Sequence, residues 1–109
     1  LLKLGPALEN HSLFPKRTNV QLAVPTGPKE LFILIWERGA GETQASGSSS
    51  CAAASAAVRL GLAKSPVTVK MPGGQLNIEV AADFSLTMKG PVSEVARGSL
   101  SPSFVRSLR

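Results

Sequence analysis

Alternating apolar and polar residues predict β-strands in the first third of the chain. The stretch T-N-V-Q-L-A-V is rich in β-formers and predicts a strand over residues 18–24, followed by a turn at 25–28. The next stretch, E-L-F-I-L-I-W-E, is almost continuously apolar and too short for a typical helix, so it predicts a strand over residues 30–37 that is buried on both faces. Before these strands, one glycine and two prolines lie among isolated apolar residues, which indicates an irregular entry loop.

Three further strands are predicted in the second half of the chain, at residues 66–71, 75–81 and 83–89. The sequence P-G-G at 72–74 predicts a tight hairpin between the first two, and A-D predicts a weaker turn before the third. Apolar and polar residues alternate in Q-L-N-I-E-V-A, so we expect one face of this strand to be buried and the other solvated. Gly90 and Pro91 then introduce a predicted edge strand over residues 92–96, and a short terminal helix is predicted after Ser101.

A run of small residues between these strands predicts the main helix. The residues from Thr43 to Ser46 offer N-cap side chains, and S-S-S-C-A-A-A-S-A-A-V-R-L follows until Gly61 provides a stop. Arg59 is the only charge in this run, which is typical of a helix surrounded by protein. Together the elements predict an α+β fold in which a curved, mostly antiparallel sheet wraps around one central apolar helix, in a single domain over residues 1–109.

Length and hydropathy restrict where such a chain resides. The apolar fraction is 43%, and the longest apolar runs are far shorter than the ~20 residues that span a bilayer. The opening L-L-K-L-G-P lacks the pattern of a signal peptide, so a cytoplasmic location is expected, without a membrane partner. Because the chain opens on Leu1 rather than Met, we also expect a fragment, a processed product or a partial reading frame.

The charge distribution and the scarcity of cysteine and histidine limit the ligands and sites that we expect in this chain. The formal net charge is +5, but the basic residues are scattered from Lys3 to Arg109 without a basic helix or an aromatic stacking motif. This distribution disfavours nucleic-acid binding and fits the attraction of a small anionic substrate. The single cysteine, Cys51, excludes an internal disulfide, and with one histidine, His11, no metal site is expected. His11 is expected to be a structural hydrogen-bond donor.

Three motifs, in order, resemble the diaminopimelate epimerase family. They are L-G-P-A-L-E-N-H-S-L-F-P-K-R-T-N-V, then E-R-G-A-G-E-T-Q-A-S-G, and finally M-P-G-G-Q-L-N-I-E-V with M-K-G-P. The resemblance covers nearly the whole chain and implies the carboxy-terminal half of a two-domain enzyme, each domain a curved sheet around a central helix. It also implies cofactor-independent epimerisation that interconverts LL- and meso-diaminopimelate in lysine biosynthesis, with one catalytic cysteine from each domain.

The resemblance assigns the family's catalytic cysteine position to Ser46. A serine hydroxyl is a much weaker acid than a thiol and needs a neighbouring base to act. Three explanations stay open for this serine: a natural variant with altered or one-base chemistry, an engineered inactivation, or a fold that has lost catalysis. The structural alternative is that Ser46 only caps the helix, since serine is a preferred cap. Cys51 lies more than a helical turn further on and is expected to be a packed, non-catalytic side chain. Glu37 is implied to contact the α-amino end of the substrate and to assist proton transfer.

The resemblance also implies a substrate-binding set. Arg38 is implied to bind a substrate carboxylate as a two-pronged donor, and Asn19 to contact the substrate. Gly47 and Ser48 are implied to present backbone N–H groups to the α-carboxylate at the helix N-terminus. The alternatives are a surface ion pair between Glu37 and Arg38, a structural hydrogen bond for Asn19, and an ordinary helix start.

The sequence alone is compatible with three functions. The first is the carboxy-terminal domain of an amino-acid epimerase, completed by an amino-terminal domain or a second copy and inactive by itself. The second is a one-base dehydratase or isomerase of the proline racemase superfamily, which suits the loss of one thiol. The third is a non-catalytic module that binds a zwitterionic amino acid or self-assembles as a half-domain.

Overall fold

A six-stranded mixed sheet and three helices make up the computed structural model, which describes residues 1–109. In chain order the elements are α1 (Leu4–Glu9), β1 (Val20–Gly27), β2 (Glu30–Glu37), β3 (Gly41–Thr43), α2 (Gly47–Arg59), β4 (Val67–Met71), β5 (Gly74–Val80), β6 (Leu86–Lys89) and α3 (Pro102–Ser107). The fold is therefore α+β, as the sequence predicted, and the sheet is open. None of its helices combines the length and the apolar character that a membrane crossing requires.

The strand order places the end of β2 between β1 and β3. The order is β1-β2-β4-β5-β6, and the short β3 also pairs with β2. The beginning of β2 runs parallel to β4, whereas its end pairs antiparallel with β3, where Glu37 lies opposite Gly41. The remaining pairs are antiparallel. The one parallel pair follows from the α2 crossover between β3 and β4, since parallel neighbours need a long connection.

Strand β2 has the predicted bounds, residues 30–37, but it is not buried on both faces as predicted. Leu31, Ile33 and Ile35 are 1% exposed or less, because they point toward α2 and the core. On the opposite face, Phe32 is 37% exposed and Leu34 is half-buried. The reason for the difference is that this face has no second layer along most of its length. Only α1 lies near it, and there Gly5 contacts the ring of Trp36.

Helix α2 begins after Ser46 and ends at a left-handed Gly61, as predicted. It contacts strands β1, β2, β4, β5 and β6. Its buried residues are Ser49, Ser50, Ala53, Ala54 and Ala57. Ala52 and Ala56 on the other side are exposed. The prediction of a helix surrounded by protein is therefore wrong for these 109 residues, because the sheet covers one side of α2 only.

The local structure differs from the prediction in several places. The entry loop contains the helix α1, which Gly5 allows to approach Trp36 closely. Strand β1 extends through most of the predicted turn, and the three-residue β3 was not predicted. Residues 92–96 form no strand, because Pro91 interrupts the backbone donors and Val92 is 98% exposed with no apolar surface to cover it.

The rest of the second half follows its prediction, except that β6 begins at Leu86 and not at residue 83. A two-residue turn joins β4 to β5, and the buried face of β5 carries Ile78 and Val80. The turn before β6 is held by Asp83, whose Oδ1 accepts hydrogen bonds from Ser85 N and Ser85 Oγ. The terminal helix α3 begins after Ser101, whose side chain accepts from Phe104 N.

Candidate functional site

One continuous segment carries most of the predicted site residues: the end of β2, the turn into β3, and the loop into α2. Glu37 closes β2, Arg38 opens the turn, and Ser46 directly precedes α2. Asn19 comes from a distant part of the sequence but precedes β1, whose Val20 lies opposite Trp36 in the ladder. The pairing of β1 with β2 therefore brings Asn19 beside Arg38.

Asn19 has a fixed side-chain orientation. Its Oδ1 accepts a hydrogen bond from Arg38 N at 2.8 Å. Because a backbone N–H can only donate, the oxygen of this amide must face Arg38, and Nδ2 must face away. Nδ2 donates to no atom of the chain. Asn19 therefore makes a structural hydrogen bond through Oδ1 and can still donate to a ligand through Nδ2.

Glu37 and Arg38 do not form the surface ion pair that was the alternative for them. Thr43 Oγ1 donates to Glu37 Oε1 at 2.9 Å, which ties Glu37 to β3. The exposed Arg38 side chain donates through Nη1 to the carbonyl oxygen of Lys16 at 3.2 Å. Its Nε and Nη2 atoms donate to no protein acceptor. Arg38 thus keeps donors available for an anion.

Glu9 is a buried carboxylate that the sequence reasoning did not single out. It accepts hydrogen bonds from Trp36 Nε1 at 2.7 Å, Gly39 N at 2.9 Å and Arg17 Nη1 at 3.1 Å. The Trp36 indole and then the Gly39 N–H lower the pKa of Glu9, against the opposing effect of burial. A weak sequence signal existed, since Glu9 is the only acidic residue among the first 29.

Ser46 caps α2. Its Oγ accepts from Ser49 N at 3.3 Å and lies 3.3 Å from Ser48 Oγ. The carbonyl oxygen of Ser46 accepts from Ser50 N at 3.1 Å, which begins the helical ladder. No carboxylate or imidazole hydrogen-bonds to the Ser46 hydroxyl. The arrangement is that of an N-cap and supplies no base for activating the hydroxyl.

The backbone N–H groups of Gly47 and Ser48 have no acceptor within the chain. They are the first donors of α2, which carries a partial positive charge at this end. A Cβ at Gly47 would lie 2.9 Å from Met88 Sδ, so β6 closely approaches the helix start. A side chain at Gly47 would have to displace the end of the Met88 side chain. The unengaged N–H groups of Gly47 and Ser48 are suited to a small anion.

An open cavity of about 270 Å³ adjoins this helix start. The β4–β5 hairpin forms one wall and is fixed there, since Gly73 N donates to the carbonyl oxygen of Gln44 at 2.7 Å. Glycine is required at this contact because a Cβ at Gly73 would lie 2.8 Å from the same oxygen. The lining residues are Ala45, Ser46, Gly47, Met71, Gly73, Gly74, Gln75, Leu76 and Pro91.

Cys51 and His11 lie outside this arrangement. Cys51 is half-buried against the core, and burial raises the pKa of its thiol, which disfavours the reactive thiolate. The exposed His11 accepts through Nδ1 from Leu13 N at 3.1 Å, so the expectation of a donor is wrong. No cluster of three or more His, Cys, Asp or Glu residues has the arrangement of a metal site.

Comparison with known proteins places the chain in a family. The sequence model described as "Diaminopimelate epimerase" matches residues 1–95. The chain belongs to the diaminopimelate epimerase family. It is 46% identical over 98 residues to the diaminopimelate epimerase of Desulfitobacterium hafniense, covering 90% of this chain and 35% of that protein. Diaminopimelate epimerase 2 of a Nostoc strain is 50% identical over 97 residues, which are 89% of this chain and 34% of that protein.

The family match is partial in both directions. The chain spans about a third of the length of the curated relatives it matches. Conversely, residues 96–109, which include α3, lie beyond the part matched by the diaminopimelate epimerase model. All the predicted site residues lie within the matched part.

Proposed function

We propose that this chain is the carboxy-terminal, ligand-binding part of a diaminopimelate-epimerase-like enzyme. The observation that carries the proposal is the pair of unengaged N–H groups of Gly47 and Ser48, on the same β2–β3–α2 segment as Glu37 and Arg38. A helix N-terminus attracts a carboxylate, and the net charge of +5 also favours an anionic ligand. The ligand is a zwitterionic amino acid, and diaminopimelate is the first candidate because the relatives are named for it.

In this proposal the ligand is held through both charged groups of its amino-acid end. The Gly47 and Ser48 N–H groups take the α-carboxylate, while Arg38 and the outward Nδ2 of Asn19 donate to carboxylate oxygens. Glu37 faces the α-amino group, with its own orientation set by the hydrogen bond from Thr43. The α-carboxylate of the ligand therefore meets hydrogen-bond donors and a positive charge, and its α-amino group meets a carboxylate.

Epimerisation requires an acid and a base on opposite faces of the α-carbon. This chain offers the Ser46 hydroxyl at the position of one family cysteine, with Glu37 to assist, and the second group comes from the remaining part of the protein. The Ser46 hydroxyl accepts a capping hydrogen bond and has no base beside it, so its proton is not readily released. We therefore expect the 109-residue chain alone not to exchange the α-hydrogen of diaminopimelate with solvent deuterium.

The remaining part of the protein, or a second copy of this chain, also completes the packing around α2. An apolar groove of about 280 Å³ runs between the exposed side of α2 and β1. It includes Ala23, Leu31, Ala52, Ala56 and Leu60. With this groove filled, α2 becomes the central helix of a wrapped sheet, and residues 1–109 form one domain of the enzyme. The small side chains of α2 support this, because they allow close approach from any direction.

A titration of the ¹⁵N-labelled chain with diaminopimelate tests the binding proposal. We expect the largest amide shifts at Arg38, Gly47 and Ser48. The Arg38→Gln variant is expected to weaken binding about tenfold, since it loses a charge-assisted donor. Arg59→Gln is the matched control, because Arg59 is an exposed arginine in the last turn of α2.

The carboxylate requirement is tested with 1,5-diaminopentane, which has the amines of the ligand but no carboxylates. We expect this diamine to leave the amide resonances of Gly47 and Ser48 unshifted. Equal binding of the diamine, or an equal loss of affinity in Arg38→Gln and Arg59→Gln, contradicts the proposed binding mode.

A second candidate is a binding part that takes no role in proton transfer, and the capping geometry of Ser46 favours it. The two candidates separate when the remaining part of the protein is added. An assembled enzyme with Ser46 intact that exchanges the α-hydrogen supports catalysis. Ligand binding without exchange, by the assembled protein or by a self-associated dimer seen in sedimentation, supports the second candidate.

A further inference from the structure

We propose that Glu9 is a positioning residue that holds the turn after β2 in the geometry that binds the ligand. This inference rests on the proposed function, because it concerns how Arg38 is presented to a carboxylate. The side chain of Glu9 is 7% exposed and lies at the end of α1. It hydrogen-bonds to the turn but to none of the predicted ligand-binding side chains.

Three segments meet at the Glu9 carboxylate. Oε2 accepts from the Trp36 indole in β2, while Oε1 accepts both from Gly39 N in the turn and from the Arg17 guanidinium before β1. Because the donors come from separate segments, their relative positions depend on this one side chain. The carboxylate therefore fixes the turn relative to both α1 and the last residues of β2.

The turn has little backbone support of its own. Its one internal backbone hydrogen bond runs from Ala40 N to the carbonyl oxygen of Glu37 at 3.1 Å. The N–H groups of Arg38 and Gly39 instead donate to side-chain oxygens, those of Asn19 and Glu9. Two consecutive backbone donors thus depend on side chains from distant parts of the sequence. Loss of either acceptor leaves the turn free to rotate.

The connection between α1 and β1 couples Glu9 to the Arg38 side chain as well. Arg17 donates to Glu9, and the carbonyl oxygen of the preceding Lys16 accepts from Arg38 Nη1. Arg17 has a left-handed φ of 60°, which is uncommon for a residue with a side chain. The ion pair with Glu9 helps to hold this backbone, and with it the Lys16 carbonyl that orients the guanidinium of Arg38.

A carboxylate suits this position better than an amide. Glu9 accepts from three donors, one of which is charged. In Glu9→Gln one oxygen becomes an NH₂ group, which cannot accept and faces a donor. At least one N–H group loses its partner, and the attraction to Arg17 disappears. The change removes an acceptor while it preserves size.

The test compares Glu9→Gln with Glu30→Gln in the 109-residue chain. Glu30 lies at the opposite end of β2 and also accepts from two side chains, Lys70 and Thr26, but it is remote from the turn. We expect Glu9→Gln to speed hydrogen exchange at Gly39 N about tenfold beyond the change in global stability. We also expect it to weaken diaminopimelate binding about fivefold, whereas Glu30→Gln changes neither quantity.

Each outcome decides the proposal. Unchanged exchange at Gly39 in Glu9→Gln overturns it, and so does faster exchange with unaltered ligand affinity, which reveals a purely structural role. If the unaltered chain binds no diaminopimelate, the proposed function fails, and exchange at Gly39 still decides whether Glu9 holds the turn. If Glu9→Gln does not fold, Arg17→Gln replaces it, with about a threefold increase in exchange expected from loss of an ion pair whose arginine is exposed. Unchanged exchange at Gly39 in Arg17→Gln then overturns the proposal.

Discussion

The turn after β2 and the start of α2 both present donors to the proposed ligand, but the chain supports them in opposite ways. In the turn, the backbone donors of Arg38 and Gly39 are already engaged by side-chain oxygens from α1 and from the residue before β1. At the helix start, the donors of Gly47 and Ser48 have no protein partner. The turn therefore binds through a side chain on a fixed backbone, and the helix start binds through the backbone itself.

The two regions also differ in what determines their shape. The turn relies on Glu9, which is 30 residues away from Gly39 in the sequence. The helix start relies on Ser46, which is three residues from Ser49, and on two glycines that permit close packing. A change far away in the sequence can therefore disturb the turn, whereas the helix start responds mainly to changes nearby.

The largest effect is expected from Gly5→Ala. A Cβ at Gly5 would lie 2.5 Å from Cγ of Trp36, so the ring or α1 must move. We expect a loss of about 1–3 kcal/mol in the free energy of unfolding, typical of overpacking. The displaced indole also loses its hydrogen bond to Glu9, so the fluorescence of Trp36, the only tryptophan, is expected to change.

Urea denaturation followed by fluorescence measures both effects of Gly5→Ala. Gly98→Ala is the matched control, because a Cβ at Gly98 meets nothing within 4 Å and its backbone is not left-handed. If both variants unfold at the same urea concentration, the contact of α1 with Trp36 does not determine stability as described here.

An intermediate effect is expected from Ser46→Ala at the helix start. Removal of an N-cap hydroxyl costs about 1 kcal/mol in the free energy of unfolding. Ser48→Ala is the control, since Ser48 is exposed and its hydroxyl contacts only Ser46, and about 0.5 kcal/mol or less is expected there. Thermal unfolding by circular dichroism measures the difference.

The same variant tests whether the two regions are independent. Because capping is local, we expect Ser46→Ala to leave the Trp36 indole resonance and the Gly39 amide resonance in place. Shifts at these two groups as large as those at Ser49 would mean that the turn and the helix start form one coupled unit.

The contrast between the regions also explains what the sequence could predict. Strand β2, the P-G-G hairpin and the cap at Ser46 follow from patterns within a few residues, and the structure has all three. The helix α1 and the role of Glu9 were missed, because both depend on Trp36 and Gly39, which lie far along the chain. Periodicity does not report a contact that is formed only on folding.

Burial was predicted less well than secondary structure, for a related reason. The apolar run of β2 and the small residues of α2 both indicated elements covered on all sides. In the 109-residue chain, Phe32 and Ala56 are exposed, because no other segment covers the side of the strand or helix on which each lies. An apolar pattern specifies that a surface should be buried, but not which segment buries it.

The smallest effect on stability is expected from lowering the pH. Acid should weaken the turn and not the helix start, so it distinguishes the two regions without any substitution. The pKa of Glu9 is lowered in the folded chain, mainly by the Trp36 indole, so the folded state binds fewer protons there than the unfolded state. The stability from this carboxylate is thus present above the ordinary Glu pKa of about 4.3 and is lost as the pH falls through the lower folded value. The cap at Ser46 has no titrating group and persists through the same range.

Global unfolding alone cannot isolate this effect, because hydrogen bonds also lower the pKa values of Glu30 and Asp83. The Trp36 Nε1–H resonance is a local reporter, since that group donates directly to Glu9. As the pH falls below 4, we expect this resonance and the Gly39 amide to shift together while the Ser49 amide stays in place. A joint shift of all three resonances would mean that acid unfolds the whole chain before it releases the turn. The turn and the helix start would then be equally stable to acid, although they are held by different contacts.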